Sequence, residues 1–169
     1  MFDKSISNVQ VTKFIPVERE KVFLYFTRPE LVEKWSAPDG MTLKVPKFEA
    51  RIGGQYRYEH TSADGLYLCD GHFKEYVPNE KLVFVDTVKD PNGKTIFTNL
   101  VCEAIFKKVA GGTEISINQK GFPDEESMKS CEESWNQCFD NLSNLLGGGM
   151  GTRPETQTKV KDIYDSNKR

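Results

Sequence analysis

The longest amphipathic helical pattern in this chain comes last, behind a run of strand patterns. Between Asp124 and Leu146, apolar residues fall at Met128, Cys131, Trp135, Cys138, Phe139, Leu142, Leu145 and Leu146. Steps of three and four put them on one helical face, with Glu125, Glu126, Lys129, Glu132, Glu133, Asn136 and Asp140 opposite. A helix with one wide apolar stripe must be covered, and the preceding strands supply the only large apolar surface. A curved sheet gripping one long helix tends to leave a cavity between the two. The pattern points to ligand binding before any catalytic motif is considered.

Strand patterns occupy Ser7–Phe14, Met41–Arg51, Gln55–Thr61, Leu66–Val77, Leu82–Lys89, Thr95–Lys108 and Glu114–Lys120. Gly53-Gly54, Ala63-Asp64-Gly65, Pro78-Asn79-Glu80, Asp90-Pro91-Asn92-Gly93 and Gly111-Gly112 separate the later ones. Links of this length make the sheet antiparallel and meandering. Two short helices follow the first strand. Val17, Val22, Phe23 and Phe26 mark one, and Thr27-Arg28-Pro29-Glu30 restarts the next, which ends near Trp35. Thr27 is expected to cap it, with Glu30 completing a capping box. Asp124, after Pro123, suits the N-terminus of the long helix. We therefore expect one α+β domain over 1–146. The glycine-led polar segment 147–169 is read as a tail, flexible or docked through one amphipathic turn at 159–164.

Several function classes are disfavoured. A net charge of −2 gives no general pull toward nucleic acid or anionic lipid. No apolar run reaches the ~20 residues of a membrane helix, and the opening MFDKSISNVQ lacks a signal pattern. The four cysteines form no C-x-x-C pair, and two histidines are too few to complete a zinc set. No metal or other cofactor is implied, and the thiols read as buried groups in a reducing cytoplasm. G-x-S-x-G, H-E-x-x-H and phosphate-loop motifs are missing, so no catalytic residue is assigned.

Specific segments sharpen the picture. Val17–Trp35, VEREKVFLYFTRPELVEKW, resembles the opening of the bacterial AHSA-type family, homologues of the activator of the heat-shock ATPase. Ile52–Tyr58 is similar to its double-glycine strand start, and Gly71–Phe84 to its central hairpin. Gly112-Thr113-Glu114 through Gly121-Phe122-Pro123, then Trp135, completes a resemblance covering about residues 9–146. It implies the helix-grip fold of the START-related (SRPBCC) superfamily: a curved antiparallel sheet of about six to seven strands wrapped around one C-terminal helix. The family has no shared catalytic residue to carry over.

Strand alternation nominates inner faces. Tyr56, Tyr58 and His60 share one; Tyr67, Cys69, Gly71, Phe73 and Glu75 share another. Leu82, Phe84 and Asp86 oppose Val83 and Val85, and alternation does not choose between the two sides. Leu100, Cys102, Ala104 and Phe106 form the next set, then Thr113, Ile115, Ile117 and Gln119. The helix adds Met128, Cys131, Trp135, Phe139 and Leu142. Aromatic residues line a cavity and fill a core equally well. His60 is either a polar anchor or an exposed edge residue, Gln119 a polar inward group, and Trp35 a gate or simple packing. Glu75 is either an inward acid or a solvated, ion-paired carboxylate.

The expected function is binding of a hydrophobic or amphipathic small molecule, lipid-like or resembling an aromatic polyketide or flavonoid. One alternative is a protein-interaction module, either a homodimer or, as the resemblance implies, a partner of a heat-shock chaperone. A cyclase-type enzyme is a third, for which His60 near Glu75 would be the acid–base pair.

Overall fold

A computed structural model describes residues 8–147. The tail expected over 147–169 lies outside the described residues apart from Gly147. The elements run β1 (Val9–Ile15), α1 (Arg19–Thr27), α2 (Pro29–Trp35), β2 (Thr42–Phe48), β3 (Gln55–Ser62), β4 (Gly65–Val77), β5 (Lys81–Lys89), β6 (Thr95–Val109), β7 (Gly112–Lys120) and α3 (Glu125–Leu146). The seven strands form one antiparallel sheet in the order β1-β7-β6-β5-β4-β3-β2. Five consecutive hairpins build β2 to β7, and β1 adds to β7 at the far edge. This is the helix-grip α+β arrangement.

The helices close over one face of the sheet. α3 packs on β1 and α2, while α2 packs on β2, so the pair spans from one sheet edge toward the other. Lys13 of β1 ties to Asp140 of α3 at 3.7 Å. Asp124 caps α3, its carboxylate accepting the Ser127 amide at 2.7 Å. Along α3 the stripe deepens: Cys138, Phe139, Leu142 and Leu146 are buried, whereas Met128, Cys131 and Trp135 are half-buried. Leu145, assigned to the stripe from its spacing, is 40% exposed because it falls at the edge of the arc.

The expected cap of α2 is not formed. The Thr27 hydroxyl instead donates back to the Phe23 carbonyl of α1 at 2.8 Å, and Arg28 occupies the cap position without a side-chain bond. A hydroxyl at the end of one helix satisfied that helix before it could start the next. Pro29 takes the first turn, where its missing N–H leaves no gap in the ladder.

The core divides the space under the helices. Phe23 and Phe26 of α1 meet Phe106 edge-on, with centroids 5.1 and 4.8 Å apart. With Ile15, Ile115, Leu142 and Leu146 they fill the half nearest the C-terminal end of α3. Truncating one of these, such as Leu142 to Ala, would cost roughly 2–5 kcal/mol. The half beneath the N-terminal end of α3 is not filled in this way.

Candidate functional site

A cavity of about 570 Å³ occupies that second half, within the roughly 300–1,000 Å³ of small-molecule sites. Its walls come from α1, α2 and the loop after it, from β3 to β7, and from the first half of α3. Tyr56, Tyr58, Phe73 and Phe84 make a continuous aromatic wall: Tyr56 lies 5.4 Å from Tyr58, 5.2 Å from Phe73 and 6.2 Å from Phe84, centroid to centroid. Ser127, Ser130, Cys131, Ser134, Trp135 and Cys138, at helical spacing, form the facing wall.

Three polar groupings interrupt the apolar surface. His60 Nε2 lies 2.9 Å from the Ser36 carbonyl, and burial holds the imidazole pKa below its ordinary value, partly offset by that contact. The Gln119 amide oxygen accepts from Trp135 Nε1 at 2.8 Å and from Cys131 Sγ at 3.2 Å, bridging β7 to α3. The third is Asp86 on β5, 8% exposed, which accepts from the Tyr56 hydroxyl and the Cys69 thiol. Burial pushes its carboxyl up to about 6, with the Tyr56 and Cys69 hydrogen bonds pulling the other way.

Gly71 makes the third grouping possible. It is paired with Tyr56 on one side and Asp86 on the other. A Cβ there would overlap both the Tyr56 phenol and the Asp86 carboxylate. The missing side chain lets Tyr56 reach across an intervening strand.

Of the candidates named from sequence, Trp35, Tyr56, Tyr58, His60, Phe73, Gln119, Cys131 and Trp135 line this cavity together. Trp35 is tied into the wall: its indole N–H donates to the Tyr25 carbonyl at 2.7 Å and its ring stacks on Phe139 at 6.1 Å. Phe106, Ile117 and Phe139 are buried behind the wall, and Met128 packs half-buried against the core; none lines the cavity.

Glu75 requires correction. Pairing shifts between Phe73 and Glu75, and this bulge reverses the alternation after Phe73. Tyr76 turns inward, 5.6 Å from Phe23 and 5.4 Å from Phe73. Glu75 pairs with Lys81 at 3.2 Å, its side chain 47% exposed, and does not join His60. The proposed acid–base pair is therefore not assembled. Sequence reasoning left Asp86 undecided; its signal was an acid in step with Leu82 and Phe84.

The thiols offer little chemistry. Burial pushes Cys131 and Cys138 up to about 12, and Cys69 and Cys102 well above their ordinary value. They remain protonated at neutral pH and are poor nucleophiles. No group of three or more histidine, cysteine or acidic residues suited to a metal occurs among the described residues.

Residues 16–147 match the family described as activator of Hsp90 ATPase homolog 1-like protein. The chain belongs to this family. Solved structures repeat its architecture. A Chromobacterium violaceum protein is 25% identical, over 83% of this chain and 97% of that one, with a TM-score of 0.73. An Arthrobacter aurescens protein is 18% identical, over 85% and 88%, with a TM-score of 0.73. One from Staphylococcus epidermidis is 20% identical, over 86% and 92%, at 0.71. The latter two show the fold alone. No curated protein matches the chain. Membership in the AHSA1-like family supports ligand binding or co-chaperone-like contact in general terms. No helix among the described residues is long and apolar enough to cross a membrane.

Proposed function

We propose that this protein binds an amphipathic small molecule, with a hydrophobic body of lipid-like or aromatic character, between the sheet and the first half of α3. The observation that carries this reading is the cavity of about 570 Å³ with its aromatic wall. The Asp86, Gln119 and His60 groupings supply polar contacts. Burial of ligand apolar surface contributes roughly 25 cal/mol per Å² before association costs. The polar groups select by orientation, since a ligand that leaves Asp86 or Gln119 unmatched forfeits their solvation.

An NMR titration of the isotopically labelled chain tests it, using flavonoids, aromatic polyketides and long-chain lipids as probes. The expected result is saturable shifts at Tyr56, Tyr58, Phe73, Gln119 and Trp135. A dispersed spectrum that no probe perturbs would overturn the reading.

Family membership favours a second reading, contact with a chaperone ATPase. Its test is co-elution of the purified chain with an Hsp90-type protein and stimulation of that protein's ATP hydrolysis. Failure of both would remove it.

A further inference from the structure

Asp86 is unusual in this cavity because its charge has no counterpart. The carboxylate is buried at 8% exposure, yet its two hydrogen-bond donors, Tyr56 and Cys69, are both neutral. Among the described residues it makes no ion pair, and none of those lining the cavity is a lysine or arginine. The titratable groups near it on the packed elements are Tyr56 and Tyr58 on β3, Cys69 on β4, Cys102 on β6 and Cys131 on α3. Burial favours the uncharged form of each. His60, the other ionisable group on the β3 wall, is held toward its neutral form by desolvation. The remaining charged residues lining the cavity, Asp124 and Glu126, are acidic as well.

Buried charges in proteins are paired or neutralised, because an isolated ion loses its hydration without replacement. Among the described residues neither a cation nor a third donor meets it. Tyr56, Tyr58 and Phe84 line the same cavity as the carboxylate, and aromatic ring faces attract a cation as well. A ligand with its own carboxylate would place like charges together in a poorly solvated site.

We propose that the cavity selects amphiphiles bearing a protonated amine, an alkylammonium or arylalkylammonium, and that the Asp86 carboxylate is the counter-ion for that nitrogen. This rests on the reading of the cavity as a ligand site and names its ligand class. The ammonium donates to Asp86 beside the Tyr56 hydroxyl, while the apolar body lies along Phe73, Phe84 and Trp135. Charge complementarity does the selecting; apolar burial is common to any ligand of that size.

Three probes with one body separate the possibilities: 4-phenylbutylamine, 4-phenylbutan-1-ol and 4-phenylbutanoate, titrated at pH 7.5 into the full chain by NMR. The amine is expected to bind at least about tenfold more tightly than the alcohol, because only the ammonium neutralises the buried carboxylate as well as donating to it, and the acid most weakly. In Asp86→Asn the amine's advantage over the alcohol is expected to fall below about threefold. Alcohol or acid binding as tightly as the amine to the unmodified chain would overturn amine selection and leave the cavity reading standing. Absence of saturable shifts with all three probes would overturn both. The comparison on the unmodified chain decides the matter even where the variant folds poorly.

Discussion

Tyr56 donates its phenolic proton to Asp86 across Gly71, the residue that pairs with both. This contact joins β3 to β5 through the one position of β4 between them where a side chain would intervene. The fold thereby holds an acid inside an apolar wall, and the consequences for stability are measurable.

The first concerns pH. Burial raises the Asp86 carboxyl from 3.8 to about 6. Between those values the folded chain holds more proton than the unfolded one, so stability falls as pH rises through the window. The penalty is absent below the unfolded value and fully present above the folded one, on the order of 3 kcal/mol. Asp86→Asn should therefore melt higher than the unmodified chain at pH 8, with the gap closing toward pH 4. A gap independent of pH, followed by circular dichroism, would show that Asp86 is not buried as a charge.

Gly71→Ala tests the same contact from the middle. The new methyl overlaps the Tyr56 ring and the Asp86 carboxylate, and both belong to packed strands with little room to give. Overpacking of this kind costs about 1–3 kcal/mol. Urea unfolding should show a lower midpoint with an unchanged slope. Stability equal to the unmodified chain would contradict the close approach of Tyr56 and Asp86.

These residues also show how far the sequence could be read. Period-two alternation placed Tyr56, Tyr58 and His60 on one face, and β3 is regular enough that all three line the cavity. Alternation failed at Glu75 because β4 carries a bulge after Phe73, and Lys74-Glu75-Tyr76 contains no glycine or proline to announce it. Asp86 escaped for a different reason. Leu82–Val88 is apolar on both sides, so its own pattern does not reveal which face turns inward. Only the paired neighbours, Gly71 on β4 and Leu100 on β6, show that Asp86 faces the cavity. The helical stripe of α3 was legible apart from Leu145, yet spacing could not distinguish the half that fills the core from the half that lines the cavity. That division depends on Phe23 and Phe26 of α1, which are remote from α3 in the chain.

Gln119→Leu tests the bridge between β7 and α3. The amide oxygen accepts both the Trp135 indole N–H and the Cys131 thiol, and leucine offers neither an acceptor. An unsatisfied donor in a partly buried position costs about 1–3 kcal/mol. The unfolding midpoint should fall, and Trp135 fluorescence should change in the folded state as its indole loses its partner. Unaltered emission together with unaltered stability would show that the bridge does not form in solution.

Glu75→Gln marks the opposite case, a carboxylate on the face away from the cavity. Its partner Lys81 retains Glu103 at 3.5 Å, and exposed ion pairs of this kind contribute little to stability. Amide shifts from the substitution should stay near Glu75, Lys81 and Glu103, leaving the Trp135 indole and the Tyr58 and Gln119 amides where they were. Ligand affinities should match those of the unmodified chain for amine and alcohol probes alike, in contrast to Asp86→Asn. Shifts that spread to Trp135, or a changed affinity, would place Glu75 in the cavity and refute the reversal of alternation at the β4 bulge. The two acids thus provide a matched pair: nearby in sequence, opposite in facing, and opposite in expected effect on binding.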